Sequence, residues 1–193
     1  MRKMPRLLPD AMRVPLKWSA QVVPTDIAGI FVNSFCINDP FYNPDRPLGW
    51  DEWSQFYNLF YINTASIQII INMQGADPGG IILFPAASAN NVSSSEQAAQ
   101  QPYARFLTLG NAHQNSTRNK MRMKFSVSKL LGQRLTGENW DGSTSTGMSV
   151  PGNRVFFNMF GYADDGVVNN IQFRVVLYQY VRFYRRKTLS LSS

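Results

Sequence analysis

IQFRVVLYQYVRFYRRKTLSLSS, residues 171–193, decides the class of the fold. Ile171, Phe173, Val175, Leu177, Val181 and Phe183 fall on one side of a two-residue period; Gln172, Arg174, Tyr178, Tyr180, Arg182 and Tyr184 fall on the other. A period of two held over this length is the pattern of a long β-strand with one face in a core and the other toward water. The polar face mixes arginine with tyrosine and holds no acid. Such a strand is not stable alone, so others must pair beside it.

Working outward from it, further strands emerge. Arg13–Val23 alternates, with Val14, Leu16, Trp18, Ala20 and Val22 opposed by Arg13, Lys17, Ser19 and Gln21, and Pro24 ends it. Ile27–Ile37 is apolar on both faces, which predicts a strand covered on both sides or lying at an interface. Ile62–Asn72 sets Ala65, Ile67, Ile69 and Ile71 against Ser66, Gln68 and Asn72. Ile81–Pro85 is a short apolar strand and Tyr103–Leu109 another, with Arg105 its one charge. In KMRMKFSV, residues 120–127, Met121, Met123, Phe125 and Val127 oppose Lys120, Arg122 and Lys124. Val155–Tyr162 is an aromatic strand, and Asp164-Asp165-Gly166 reads as a tight turn into the last one.

Between the strands lie an ordered loop at Asn38–Gly49 with three prolines, a glycine-rich turn at Gln74–Gly80 and a polar loop at Asn111–Asn119. Ala86–Pro102 is a surface loop with one helical turn near Glu96–Gln100, and Leu131–Asn153 is a long Gly/Ser/Thr loop of the kind that is functional or mobile; both are placed on the exterior. Trp53, Phe56, Tyr57 and Phe60 recur at i, i+3, i+4 and i+7 behind Asp51 and Glu52, which predicts a short helix plugging the core.

Alternating βα units are absent, so a doubly wound parallel sheet is excluded. The pattern predicts an all-β fold: one eight-stranded jelly roll over residues 13–193, with one or two short helices, preceded by a short basic arm at 1–12. With the strands lettered B to I in chain order, a jelly roll has two antiparallel four-stranded sheets, B-I-D-G and C-H-E-F. The bases then sort themselves. Arg13 and Lys17 lie on B, Lys120, Arg122 and Lys124 on G, Arg174 and Arg182 on I, while the other sheet has only Arg105 and Arg154. One sheet becomes a basic wall. The other is apolar on both faces, so its outer face must be covered by sister molecules or by the long loops.

Composition narrows the function. The chain carries nineteen bases against twelve acids, a formal +7, and acids are missing where bases cluster, at 118–134 and 171–193. Such blocks suit a polyanion. At 193 residues and 44% hydrophobic, the chain fits one domain with a real core and not a disordered one. No run reaches the ~18 apolar residues of a transmembrane helix, so no membrane insertion is expected, and no signal peptide is apparent. Cys36 is the only cysteine, which fits a reducing compartment. The glycosylation-like Asn91-Val92-Ser93 and Asn115-Ser116-Thr117 read as chance matches in polar loops.

Enzyme chemistry finds no purchase. His113 is the sole histidine, which excludes a multi-histidine metal centre and a cupin oxygenase. No nucleophile elbow is present, and Gly79-Gly80 lacks the lysine and hydroxyl of a phosphate loop. No catalytic residue, metal or cofactor is expected. The candidate nucleic-acid contacts are Arg2, Lys3, Arg6, Arg13, Lys17, Lys120, Arg122, Lys124, Arg174, Arg182 and Arg186, with Tyr178, Tyr180 and Tyr184 interleaved as stacking platforms.

Three segments in order resemble capsid proteins of circular Rep-encoding single-stranded DNA viruses, the circovirus-like group. They are NDPFYNPDRPLGWDEWSQFYNLFYINTASIQI, MKFSVSKLLG and VVLYQYVRFYRRKTLSLS. The resemblance implies a single jelly roll that self-assembles into an icosahedral T=1 shell of about 60 copies. It also implies packaging of a circular single-stranded DNA genome, a host receptor the sequence does not identify, and a life between virion and host nucleus. Where the family has a long arginine-rich arm, this chain has Arg2, Lys3 and Arg6, and Arg182 and Arg185 stand where the family often has acids. The alternatives are the coat of a small RNA satellite virus and a non-viral jelly-roll binding module.

Overall fold

The computed structural model describes residues 9–22, 29–73, 79–89, 92–109, 120–132, 144–145, 151–163 and 171–187. In chain order the strands are β1 (Ala11–Val22), β2 (Ile30–Cys36), β3 (Tyr57–Met73), β4 (Gly79–Ala86), β5 (Arg105–Leu109), β6 (Lys120–Ser126), β7 (Thr144–Ser145), β8 (Phe156–Ala163) and β9 (Ile171–Arg186). Three one-turn helices join them: α1 (Trp50–Ser54), α2 (Ser95–Ala99) and α3 (Val127–Leu131).

The 16-residue β9 is the spine of the first sheet, antiparallel to β1 on one side and to β3 on the other, with β6 beyond β3. The second sheet runs β2-β8-β4-β5. These are the expected orders B-I-D-G and C-H-E-F, and the fold is a jelly roll. One addition is the two-residue β7, inside the expected loop Leu131–Asn153, which pairs with Leu59 and Phe60 of β3.

The core lies between the sheets and is filled by the inward members of each period-two pattern. Phe173, Val175 and Leu177 of β9, Ala65, Ile67, Ile69 and Ile71 of β3, and Met121, Met123 and Phe125 of β6 meet Phe31, Phe35, Ile81, Leu83, Phe157 and Met159 from the other sheet. Each large side chain so buried contributes about 1.5–3 kcal/mol. At one point a ring replaces a side chain: Phe31 lies over its register partner Gly161, where a Cβ would sit 1.8 Å from Phe31 Cζ. β9 has one polar inward residue, Gln179, which is fully buried. Its Nε2 donates across the sandwich to the carbonyls of Ile37 at 3.0 Å and Cys36 at 3.4 Å.

The expected helix over Trp53–Phe60 is corrected: α1 stops at Ser54 and β3 begins at Tyr57. β9 extends far enough to give Tyr57, Leu59 and Phe60 the partners Arg186, Tyr184 and Phe183. A β-bulge between Ile62 and Thr64 then changes the phase of the strand. Phe60 and Ile62 point inward before it and Ala65 and Ile67 after it, so the strand's first turns do not continue the later alternation. The aromatic residues still fill the core as a second cluster, in which Trp50 meets Phe60 edge-on at 4.6 Å and Tyr57 stacks on Phe183 at 5.9 Å. The bulge residue Asn63 is put to use: its Oδ1 accepts from Ser128 N at 3.3 Å and Ser128 Oγ at 2.9 Å, at the start of α3.

The proline-rich loop is ordered, as expected, because its polar side chains replace strand partners. Asn38 accepts from Val155 N at 2.8 Å and donates to Asn153 O at 2.6 Å, and Asn43 bonds the backbone of Cys36 on both its N–H and carbonyl. Fully buried Asp39 pairs with Arg154 at 2.9 Å. On the second sheet's outer face, Ile82, Phe84 and Phe160 are covered by Val92 and by Ala98 of α2. Of the two covers the sequence allows, the chain's own loop supplies this one, and this part of the face is not left for sister molecules. Ser94 caps α2, its Oγ accepting from Gln97 N at 3.2 Å. The first sheet is stopped at both rims: on β1, Lys17 O accepts from Leu48 N at 2.9 Å, and on β6, Arg122 O accepts from the Arg105 guanidinium at 2.8 Å.

Candidate nucleic-acid interface

Register sets the outer face of the first sheet into cross-strand rows. Arg13 faces Arg182, which faces Tyr61; Pro15 faces Tyr180 and Thr64; Lys17 faces Tyr178, then Ser66 and Lys124; Ser19 faces Val176, then Gln68 and Arg122; Gln21 faces Arg174, then Ile70 and Lys120. Seven cations expected on one wall, Arg13, Lys17, Lys120, Arg122, Lys124, Arg174 and Arg182, therefore share one face across four strands. All are exposed but Arg182, which is half-buried.

What distinguishes this face is the lack of compensation. Other described bases are engaged: Arg46 pairs with Asp51 at 2.7 Å, Arg154 with Asp39, Lys187 donates to Ser54 O, and Lys129 Nζ lies 4.4 Å from the Tyr103 ring centroid. Among the described residues, none of the seven makes an ion pair with an acid. Two of them meet rings instead. Lys124 Nζ lies 5.0 Å from the centroid of Tyr180, and Arg182 lies 5.8 Å from that of Tyr61 while donating to its hydroxyl at 3.0 Å. Like charges directly opposite across a ladder, as in Arg13 and Arg182, are destabilising. The face accepts that cost with no acid of its own to relieve it.

The remaining candidates divide. Tyr180 is 40% exposed and offers its ring, and Tyr178 is half-buried. Tyr184, by contrast, is buried against Tyr61, edge-on at 5.9 Å, so its ring is closed to stacking, and its hydroxyl has no partner among the described residues. Arg186 is exposed at the end of β9, opposite Tyr57 and beyond Arg185, whose φ of 55° breaks the strand's regular alternation. Arg2, Lys3 and Arg6 lie outside the described residues, as do His113 and Asp164-Asp165. Sequence reasoning missed Tyr61 because the helix expected just before it hid the strand that turns it outward. It also missed Asn63, whose place at a bulge has no signature short of the register itself.

Two four-stranded sheets in this order, one bearing a cationic face with no acid partner among the described residues, define a single jelly roll. The solved structures similar to it agree. The chain is similar to Desmodium yellow mottle tymovirus, at 10% identity and TM-score 0.55, covering 99% of this chain and 100% of that one. It is similar to turnip yellow mosaic virus, at 10% identity and TM-score 0.54, covering 100% and 92%. It is similar to Mud crab tombus-like virus, at 8% identity and TM-score 0.56, covering 97% and 95%. No family model matches the chain, and no curated protein sequence does. At such identities the likeness is one of fold.

Proposed function

We propose that the chain is a viral capsid protein, a non-enzymatic subunit that assembles with copies of itself into a closed shell and packages single-stranded DNA against its basic sheet. The observation that carries this reading is the sorting of charge: seven cations share one face of the first sheet, and among the described residues none of them is paired with an acid. With the cationic face turned to the cavity, the genome supplies the missing anions. Lysine and arginine there neutralise phosphates and release counterions, which binds a single strand without regard to sequence. At about 60 copies, the number the resemblance implies, the formal +7 of each chain sums to roughly 400 positive charges, enough to offset part of a genome's charge. Location in the virion follows from the same reading; passage through the host nucleus rests on the resemblance.

Electron microscopy of the expressed protein tests the assembly. Discrete hollow shells are the expected result, and a small soluble oligomer overturns it. Nuclease treatment of polymer released from the shells tests the cargo: digestion by a nuclease specific for single-stranded DNA supports the reading, whereas digestion by ribonuclease alone transfers it to RNA.

A further inference from the structure

Of two depressions on the first sheet, the one beside Ser19, Gln21 and Arg174 has no exposed ring, and the other does. The latter, of about 320 Å³, opens where β1, β9, β3 and β6 approach the bulge, lined among others by Arg13, Tyr61, Asn63, Lys124, Tyr180 and Arg182. Its volume lies at the lower end of the range for small-ligand pockets, ~300–1,000 Å³. We infer that it is a subsite for one nucleotide of the packaged strand, with the phosphate between Arg13 and Arg182 and the base against Tyr180. This deepens the proposed function and rests on it.

Four observations on this site converge. Arg13 and Arg182 are direct register partners, so two guanidinium-bearing residues are held side by side without an acid among the described residues. A phosphate between them turns repulsion into two charge-assisted contacts, the geometry in which arginine outperforms lysine. Tyr180, in the next row, is among the few large apolar side chains of the described chain left substantially exposed, at 40%. Lys124 lies 5.0 Å from that ring's centroid and can take the phosphate that follows. Arg182 is meanwhile held by its hydrogen bond to Tyr61, which fixes one side of the phosphate clamp in advance.

Elsewhere the face has cations without an available ring. Arg174 and Lys120 flank Ile70, and Arg122 shares its row with Val176. Tyr178 is half-buried. Asn63, the one amide in the depression, has its Oδ1 committed to Ser126 and Ser128, and the ring face of Tyr180 accepts any base. The subsite is therefore one for a nucleotide of any sequence.

Ultraviolet cross-linking tests it on the full chain, both with the strand it packages and with added oligothymidylate, followed by peptide mass spectrometry. The expected adduct is on Tyr180. Tyr180→Leu abolishes it, and Arg13→Gln lowers its yield about tenfold, as loss of one charge-assisted phosphate contact does. Tyr180→Phe, which keeps the ring, retains binding, and Arg46→Gln, whose guanidinium is paired with Asp51 away from the wall, leaves the Tyr180 adduct in place. Thermal unfolding verifies that the variants fold. Adducts at Tyr178 or at other wall positions, with binding still salt-dependent, overturn the subsite and leave the capsid reading standing. Failure of both the packaged strand and oligothymidylate to bind overturns the two together.

Discussion

Replacing Lys120, Arg122 and Lys124 by glutamine tests the wall most directly. The three side chains stand at successive outward positions of β6, all exposed, opposite Ile70, Gln68 and Ser66 of β3. Exposed substitutions of this kind alter stability by no more than about 0.5 kcal/mol, so folding is not at stake. Binding is. For a single strand, the slope of log affinity against log salt is about −0.7 for each phosphate neutralised. If all seven cations of the face engage, the slope is about −5; with three removed it falls to about −3. A tenfold rise in salt then weakens the unmodified protein about 100,000-fold and the variant only about 1,000-fold. Fluorescence anisotropy of a labelled oligothymidylate over a salt series measures both slopes, and the nucleic-acid content of purified shells should fall in parallel. Arg46→Gln is the control, because Arg46 is already paired with Asp51 away from the wall, and its slope should match the unmodified protein. An unchanged slope in the triple variant, or an equal loss in the control, refutes the assignment of the face.

Other consequences are open to measurement. Gly161→Ala drives a methyl into the Phe31 ring at 1.8 Å and should cost about 1–3 kcal/mol, read as a lower urea midpoint. Arg154→Met leaves fully buried Asp39 without its partner at 2.9 Å and should cost about 3 kcal/mol. Asp39→Asn in the same background, by removing the orphaned charge, should restore part of it. Burial pushes the Cys36 thiol from an ordinary 9.0 up to about 12. The folded chain thus keeps a proton that the unfolded chain releases, and stability that is whole below pH 9 declines as the pH climbs toward 12. Denaturant midpoints at about pH 8 and pH 10 should diverge more for the native protein than for Cys36→Ser, and iodoacetamide should label Cys36 only after unfolding.

Much of this architecture was legible because inward and outward residues alternate, and alternation survives wherever a strand keeps one phase. β6 and β1 show it without interruption, and β9 departs from it at Gln179, where an amide serves the carbonyls of the opposite sheet, at Val176, apolar on the outward face, and at Arg185, whose φ is 55°. Where phase changes, reading fails. The bulge at Asn63 separates the inward Phe60 and Ile62 from the inward Ala65 and Ile67, and the aromatic spacing ahead of it mimics a helix. The cover of the second sheet was open in the sequence for a different reason. Val92, Ala98 and Ala99 are too small and too scattered in a polar segment to announce an apolar contact. As for the candidate interface, the register of β1, β9, β3 and β6 gathers the expected bases, but Tyr184, outward by parity, is closed off by Tyr61. Parity gives direction; it does not say what the next strand will lay on top.

The stopped rims of the first sheet carry a consequence for how copies join. With the Lys17 carbonyl taken by Leu48 and the Arg122 carbonyl by Arg105, a foreign backbone finds its docking points already occupied midway along each border. Ribbons that lengthen by adding strand to strand, the road toward fibrils, are blocked at those points. If copies assemble as proposed, they meet at those points through loops and side chains and not by strand addition, and such contacts have angles that can close on themselves.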